Sequence, residues 1–213
     1  MKFTEKDFYF SIVTGLITGF SAWRIFEYLA ITEFGGYSFA WFLLLVPVLW
    51  IIGVNLGYFL GKWLAFFNQF GKFSAIGFTN AAIDFGVLNL LIANTDISSG
   101  GWYSVFKAIS FLSAIVPSYF WNKYWAFSNQ GDALISSGGG PASPAGGFQF
   151  AKFMSIAIVS IFINTGTASL VVNYVHPLAG LSPAVWANIG AVAGSAVALV
   201  FSFVGFKLAV FKK

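Results

Sequence analysis

The sequence predicts an all-α membrane protein with six transmembrane helices, the last four forming two parallel repeated helical hairpins. Composition, the length of the apolar runs and an internal repeat predict it. The 213 residues are 58% hydrophobic and 8% charged, with a mean hydropathy of +0.82. Soluble domains carry about 25% charged residues, so the soluble classes are excluded. Six apolar stretches, at about 8–31, 38–61, 72–94, 103–126, 150–174 and 184–208, meet the roughly 20 residues that a bilayer core demands. The segments Phe70-Gly-Lys-Phe-Ser-Ala-Ile76 and Phe150-Ala-Lys-Phe-Met-Ser-Ile156 set Lys72 and Lys152 eighty positions apart. Further along, Ile83, Gly86 and Leu90 recur as Ile163, Gly166 and Leu170, while Asp84 aligns with Asn164 and Asn80 with Ser160. Matched polar positions in a duplicated membrane hairpin point to a transporter, because such sites lie between repeats.

The first stretch has a basic flank like that of a secretion signal. Its apolar run outlasts a signal core and no small-x-small cleavage site follows, so it reads as a retained helix. Arg24 and Glu27 lie three apart on one face of it, where pairing lowers the cost of both charges. With the second stretch it forms an N-terminal two-helix extension, residues 1–68, which closes on the interfacial aromatic segment Trp63-Leu-Ala-Phe-Phe67.

Residues 69–127 form the first repeat hairpin and 150–213 the second. The segment between them, 128–149, is rich in Gly, Ser and Pro and reads as a flexible cytoplasmic linker. The closing halves match at a slightly longer offset, with Ser118, Lys123 and Phe127 recurring as Ser202, Lys207 and Phe211. Each hairpin enters from the same side and returns to it, so the repeats run parallel about an axis along the membrane normal. Pro117 in the fourth span is expected to bend its helix by freeing the carbonyl of Ser113. Gly190 and Gly194, with Ala187, Ala191 and Ser195, give the sixth span a small-residue face for folding or for dimerisation.

Charge sets the orientation. Lys2, Lys6, Lys62, Lys72, Lys123, Lys152, Lys207, Lys212 and Lys213 fall at the termini or the even-numbered loops, and the loops around Glu33, Asp96 and His176 hold no lysine. By the positive-inside rule both termini are cytoplasmic in a multi-pass protein of the cell membrane. The net charge of +4 is thereby explained without nucleic acid. Zero cysteines and one histidine exclude disulfides, thiol chemistry and a cysteine or histidine zinc site, and no cofactor is expected.

Asp84 lies about eleven residues into its helix, roughly 17 Å deep and near the bilayer midplane. A carboxylate there costs about 2.5–3.5 kcal/mol on insertion scales, so it faces the bundle interior. Asn80 shares its face one turn earlier, and Ser160, Asn164 and Thr167 make the corresponding stripe in the second copy. Two readings stand: a polar track for a phosphate or sugar headgroup, and interhelical hydrogen bonds that hold the bundle together. Lys72, Lys123, Lys152 and Lys207 form a predicted ring at the cytoplasmic mouth that attracts an anion or simply satisfies topology. Asn122 beside Lys123 orders the headgroup or caps the helix end. Trp121, Tyr124, Trp125 and Phe127 read as an interfacial belt. Arg24 and Lys107, in the outer parts of their helices, are second-tier candidates for a phosphate on that side, with Glu27 as the partner of Arg24.

The pattern Lys72-Phe73…Gly77…Asn80…Asp84-Phe85-Gly86-Val87, closed by Ser118-Tyr119…Asn122-Lys123-Tyr-Trp125-Ala-Phe127, resembles the GtrA-like family of small four-helix membrane proteins. The resemblance covers about residues 69–213, a four-helix domain following the extension. In the second closure Phe206 and Ala209 stand where the first has Asn122 and Trp125. The resemblance implies a role in moving polyprenyl-phosphate-linked sugars for cell-surface glycosylation, commonly alongside a membrane-associated glycosyltransferase. A noncatalytic scaffold recruiting that transferase and a proton-coupled exporter of small cations are the alternatives. No catalytic residue is expected, since one midplane aspartate without a neighbouring histidine or second carboxylate makes a poor acid/base set. Four to six helices enclose little volume, so a homodimer or a complex with the transferase is expected.

Overall fold

A computed structural model describes residues 2–64, 67–126, 144–178 and 180–209. Among these residues the regular secondary structure is helical except for one short hairpin. The helices are α1 (Glu5–Tyr28), α2 (Phe42–Leu60), α3 (Phe67–Thr95), α4 (Gly100–Trp121), α5 (Pro144–Tyr174) and α6 (Pro183–Ala209). Thr4 caps α1 in a reciprocal box with Asp7, satisfying donors that the first turn leaves open. Three described segments are long and apolar enough to cross a membrane: Phe39–Leu60, Phe70–Thr95 and Gly100–Ala126. The apolar parts of α5 and α6, Ile158–Tyr174 and Pro183–Ala198, are shorter. Leu44, Ile52, Val116, Phe162 and Leu170 stand exposed, as side chains solvated by lipid do.

The structure departs from the expected boundaries in three places. Between α1 and α2, β1 (Glu33–Phe34) pairs antiparallel with β2 (Tyr37–Ser38). Gly35 and Gly36, at φ 61° and 81°, supply the left-handed residues that a two-residue hairpin turn requires. α3 begins five residues before the expected position, at Phe67, whereas α4 runs through Pro117 and a π-helical turn, Asn122–Ala126, to the expected end. α5 begins at Pro144, inside the segment expected as linker; residues 128–143 lie outside the described set.

The chain packs as two compact units. One holds α1, α2, α3 as far as Val87 and α4 from Ser113; the other holds α3 from Leu88, α4 as far as Leu112, α5 and α6.

In the first unit α1 meets α2 through Gly15 and Gly19. A β-carbon on Gly15 would sit 2.5 Å from the α-carbon of Pro47, and one on Gly19 would strike the carbonyl of Phe42. A second face of α1 carries Asp7, Ser11, Thr14, Thr18 and Ser21, spaced four and three apart like a coiled-coil seam. α3 answers with Lys72, Ala75, Thr79, Ala82 and Gly86 at the same alternating spacing. Thr18 donates to the Thr79 hydroxyl at 3.0 Å, and a β-carbon on Gly86 would lie 3.3 Å from that of Ser21. Small residues bring the backbones close, and the threonine hydroxyls find carbonyls: Phe10 for Thr14 at 2.6 Å, Thr14 for Thr18 at 2.8 Å and Ala75 for Thr79 at 2.8 Å. The extension is therefore part of the core of this unit.

In the second unit α5 packs on α6 through the predicted small-residue face. Ala187 and Ala191 are fully buried, and β-carbons on Gly190 and Gly194 would strike Val172 and the carbonyl of Asn164. That face serves folding. Hydrogen bonds complete the unit. Asn89 and Asn188 exchange amide bonds at 2.7 and 2.8 Å, the Ser104 and Ser169 hydroxyls meet at 2.7 Å, and Tyr103 donates to the Ala187 carbonyl at 2.8 Å. The Gly100 N–H donates to Asn173 Oδ1 at 2.6 Å. A double-mutant cycle on Asn89→Ala and Asn188→Ala should return a coupling of about 0.6–1.7 kcal/mol, the range for interhelical hydrogen bonds in membranes. Additive losses on unfolding from detergent would show that the amides stabilise the unit independently.

Candidate functional site

The most concentrated polar site in the first unit surrounds Asp7, which is 1% exposed. Four helical segments of that unit contribute. α1 brings Asp7 itself, with the Thr4 N–H and hydroxyl donating to Oδ2 at 3.0 and 2.9 Å. From α2, the Tyr58 hydroxyl donates to the same oxygen at 2.9 Å. From α3, the Lys72 ammonium lies 2.7 Å from Oδ1, and from the π-helical turn the Trp125 indole N–H reaches Oδ1 at 3.0 Å. Five donors thus converge on one carboxylate, one more than its roughly four lone-pair sites.

Apolar packing fixes these donors. Trp125 is fully buried, stacks on Phe10 at 5.4 Å, and joins Val54, Tyr58, Ala75, Ile76 and Ala126 in the core. The Lys72 ammonium is also 5.3 Å from the Tyr58 ring, a cation–π distance. Burial pushes the Asp7 carboxyl up, but the hydrogen bond and charge of Lys72, then Thr4 and Trp125, outweigh it and hold the group below the ordinary carboxylate range.

The sequence-predicted residues fall into several settings. Lys72 faces inward, 8% exposed and committed to Asp7, rather than standing open at a mouth. The side chains of Asn122, Lys123, Lys152 and Lys207 lie outside the described residues. Asp84 is buried on α3 in the first unit. Asn80 donates to the Ser118 hydroxyl at 2.8 Å, and Asn164 in the second unit donates to the Ser195 hydroxyl at 3.2 Å. Both amides leave a buried carbonyl oxygen without a hydrogen-bond partner. Arg24 pairs with Glu27 as spacing predicted and lies over the Tyr28 ring at 5.1 Å. Lys107 is fully buried, its ammonium 5.7 Å from the Phe111 ring. Of the residues read as a belt, Tyr124 is exposed, whereas the belt reading fails for Trp125, whose indole is turned into the core by its bond to Asp7.

Sequence reasoning missed Asp7, Tyr58 and the inward role of Trp125. One signal was present: Thr4-x-x-Asp7 at the head of an apolar run has the spacing of a capping box.

Fold and site together define a helical membrane protein whose interior holds the carboxylate of Asp7 through fixed donors. The family model of the GtrA/DPMS transmembrane domain matches residues 72–211, and the chain belongs to that family. Neither the curated proteins nor the solved structures contain a match. The matched region opens at Lys72 and includes Trp125, whereas Thr4, Asp7 and Tyr58 precede it.

Proposed function

We propose that this chain moves polyprenyl-phosphate-linked sugars across the membrane, or assists their delivery, for cell-surface polysaccharide and glycoconjugate synthesis. The observation that carries the reading is the family match over residues 72–211, which begins at a lysine gathered with Trp125 around a buried anion. No covalent step is needed: the protein shields the charged headgroup while the prenyl chain stays in lipid. A membrane-associated glycosyltransferase is the natural partner, and both termini face the cytoplasm.

In this reading all six helices span, and the last four are two parallel repeats. Two features support the repeat. α3 and α5 end at Thr95 and Tyr174, and α4 and α6 begin at Gly100 and Pro183, each within one residue of the sequence offsets. Under those offsets Asn89 corresponds to Ser169 and Ser104 to Asn188, so the pairs Asn89–Asn188 and Ser104–Ser169 exchange with each other. A two-fold relation between hairpins has that property.

The test is movement of a labelled polyprenyl-phosphate sugar between leaflets of liposomes. Wild-type protein should accelerate it over empty vesicles. Folded Asp84→Asn should lose most of that rate, because an intramembrane carboxylate that costs about 2.5–3.5 kcal/mol to insert is retained for function. Wild-type movement no faster than empty vesicles, with transferase recruitment intact, would replace this reading with that of a scaffold.

A further inference from the structure

We propose that the donors around Asp7 form a phosphate-binding site and that Asp7 is its resident, displaceable anion, carried in by the N-terminal helix as a built-in competitor. This rests on the reading that the substrate bears a phosphate. Two of the donors, Lys72 and Trp125, lie within the family domain, whereas Asp7 and its cap Thr4 lie outside it. The domain thus supplies part of the cradle and the extension supplies the occupant.

The donor set exceeds what a carboxylate uses. Five donors already saturate Asp7, and two further donors lie one turn away along the elements that carry it and Trp125. Ser11, four residues beyond Asp7 on the same face of α1, is fully buried, and its hydroxyl has no hydrogen-bond partner. The buried indole N–H of Trp121, four residues before Trp125, has none either. A prenyl phosphate sugar is a diester with two acceptor oxygens and a single charge, whereas the sugar-free prenyl phosphate is a monoester with three strong acceptor oxygens and about −1.5 to −2 charges at neutral pH. The monoester suits this larger set better than a carboxylate does.

The geometry also gives Asp7 a way out. It sits in the first turn of α1, directly after the exposed residues Thr4, Glu5 and Lys6, while Gly15 and Gly19 hold the helix on α2 two turns further in. Unwinding one turn withdraws the carboxylate without undocking the helix. The incoming phosphate takes over the bonds from Tyr58, Lys72 and Trp125 that the departing carboxylate gives up, so the step is an exchange rather than a bare opening. The N-terminal helix is then a gate, closed while Asp7 occupies the cradle and opened when a phosphate takes its place.

The experiment measures equilibrium binding of farnesyl phosphate and of inorganic phosphate to the full chain in detergent, at matched ionic strength. Asp7→Asn, which keeps an acceptor for Trp125 and removes the competing charge, should bind farnesyl phosphate about tenfold more tightly than wild type, as expected when an internal competitor no longer reduces the competent fraction. Adding Lys72→Met should abolish the gain. Thr4→Ala, which leaves the carboxylate and loosens only the first turn, should give a smaller gain and serves if Asp7→Asn does not fold. A gain confined to farnesyl phosphate assigns the site to a lipid headgroup, and an equal gain for inorganic phosphate assigns it to a free anion. Equal affinity of wild type and both Asp7→Asn and Thr4→Ala, or a gain that survives Lys72→Met, would overturn the proposal and leave a permanent structural ion pair. Because binding is read rather than leaflet movement, failure here is distinct from failure of the translocation assay.

Discussion

Replacing Asp7 by alanine is expected to destabilise the protein in detergent by about 3–5 kcal/mol, the cost of breaking a buried ion pair by removing one partner. The loss is large because Lys72 keeps its charge in a site where its side chain is 11% exposed. Tyr58 and Trp125 lose their acceptor in the same step. Against a total stability of about 5–15 kcal/mol, such a change lowers the unfolding midpoint by many degrees. The double variant Asp7→Ala with Lys72→Met should recover most of the loss, since an apolar pair of similar volume removes the stranded charge.

The acid dependence has a definite sign. The folded carboxyl titrates below its unfolded value of about 3.9, so the pair contributes in full above roughly pH 5 and is lost as pH falls through the lower, folded value. The gap in unfolding midpoint between wild type and Asp7→Asn should therefore be widest near neutrality and close in strong acid. An Asp7→Ala loss no larger than the 0.5 kcal/mol or so of ordinary surface substitutions would remove Asp7 from the centre of the fold.

Gly194→Leu is the second large effect, and Gly166 provides its control. The β-carbon at 194 would strike the Asn164 carbonyl, which is helix backbone and cannot rotate aside, with the Ala168 β-carbon 3.1 Å away. Overpacking of this kind costs about 1–3 kcal/mol or more and should separate α5 from α6. On α5, a β-carbon at Gly166 meets nothing within 4 Å. Gly166→Leu should therefore be neutral or slightly stabilising, because glycine is about 1 kcal/mol poorer than a good helix former. Equal destabilisation by both substitutions, read from thermal unfolding, would show that helix sequence rather than packing controls the loss.

The helices were legible because apolar run length is a direct physical demand of the bilayer. Their ends were less so: the span expected at 72–94 is a helix from Phe67 to Thr95, since polar residues such as Asn68 continue it beyond the apolar run. The hairpin at 33–38 was overlooked although Gly35-Gly36 between Phe34 and Tyr37 is a strong turn signal; it was too short to register against long helical runs. The buried site was hidden for a different reason. Asp7 lies outside every apolar run, so composition counts it as a terminal charge, and only tertiary packing turns it inward. Trp125 illustrates the same limit, because an aromatic residue near a membrane boundary reads identically whether it faces headgroups or a buried carboxylate. Arg24 and Glu27 were readable because their pairing is local to one helix.

The crossed hydrogen bonds of the second unit bear on how the protein is made. Asn89 and Ser104 are synthesised before the residues that satisfy them, with Asn188 following 99 positions after Asn89 and Ser169 following 65 after Ser104. At about 5–20 residues per second, the ribosome delivers those partners roughly 3–20 seconds later. During that interval the nascent first hairpin carries polar side chains without their final mates, a state in which insertion chaperones and membrane proteases have their opportunity. The same dependence makes each half a template for the other, so two fragments divided between Ala126 and Pro144 should reassemble when produced together in one cell.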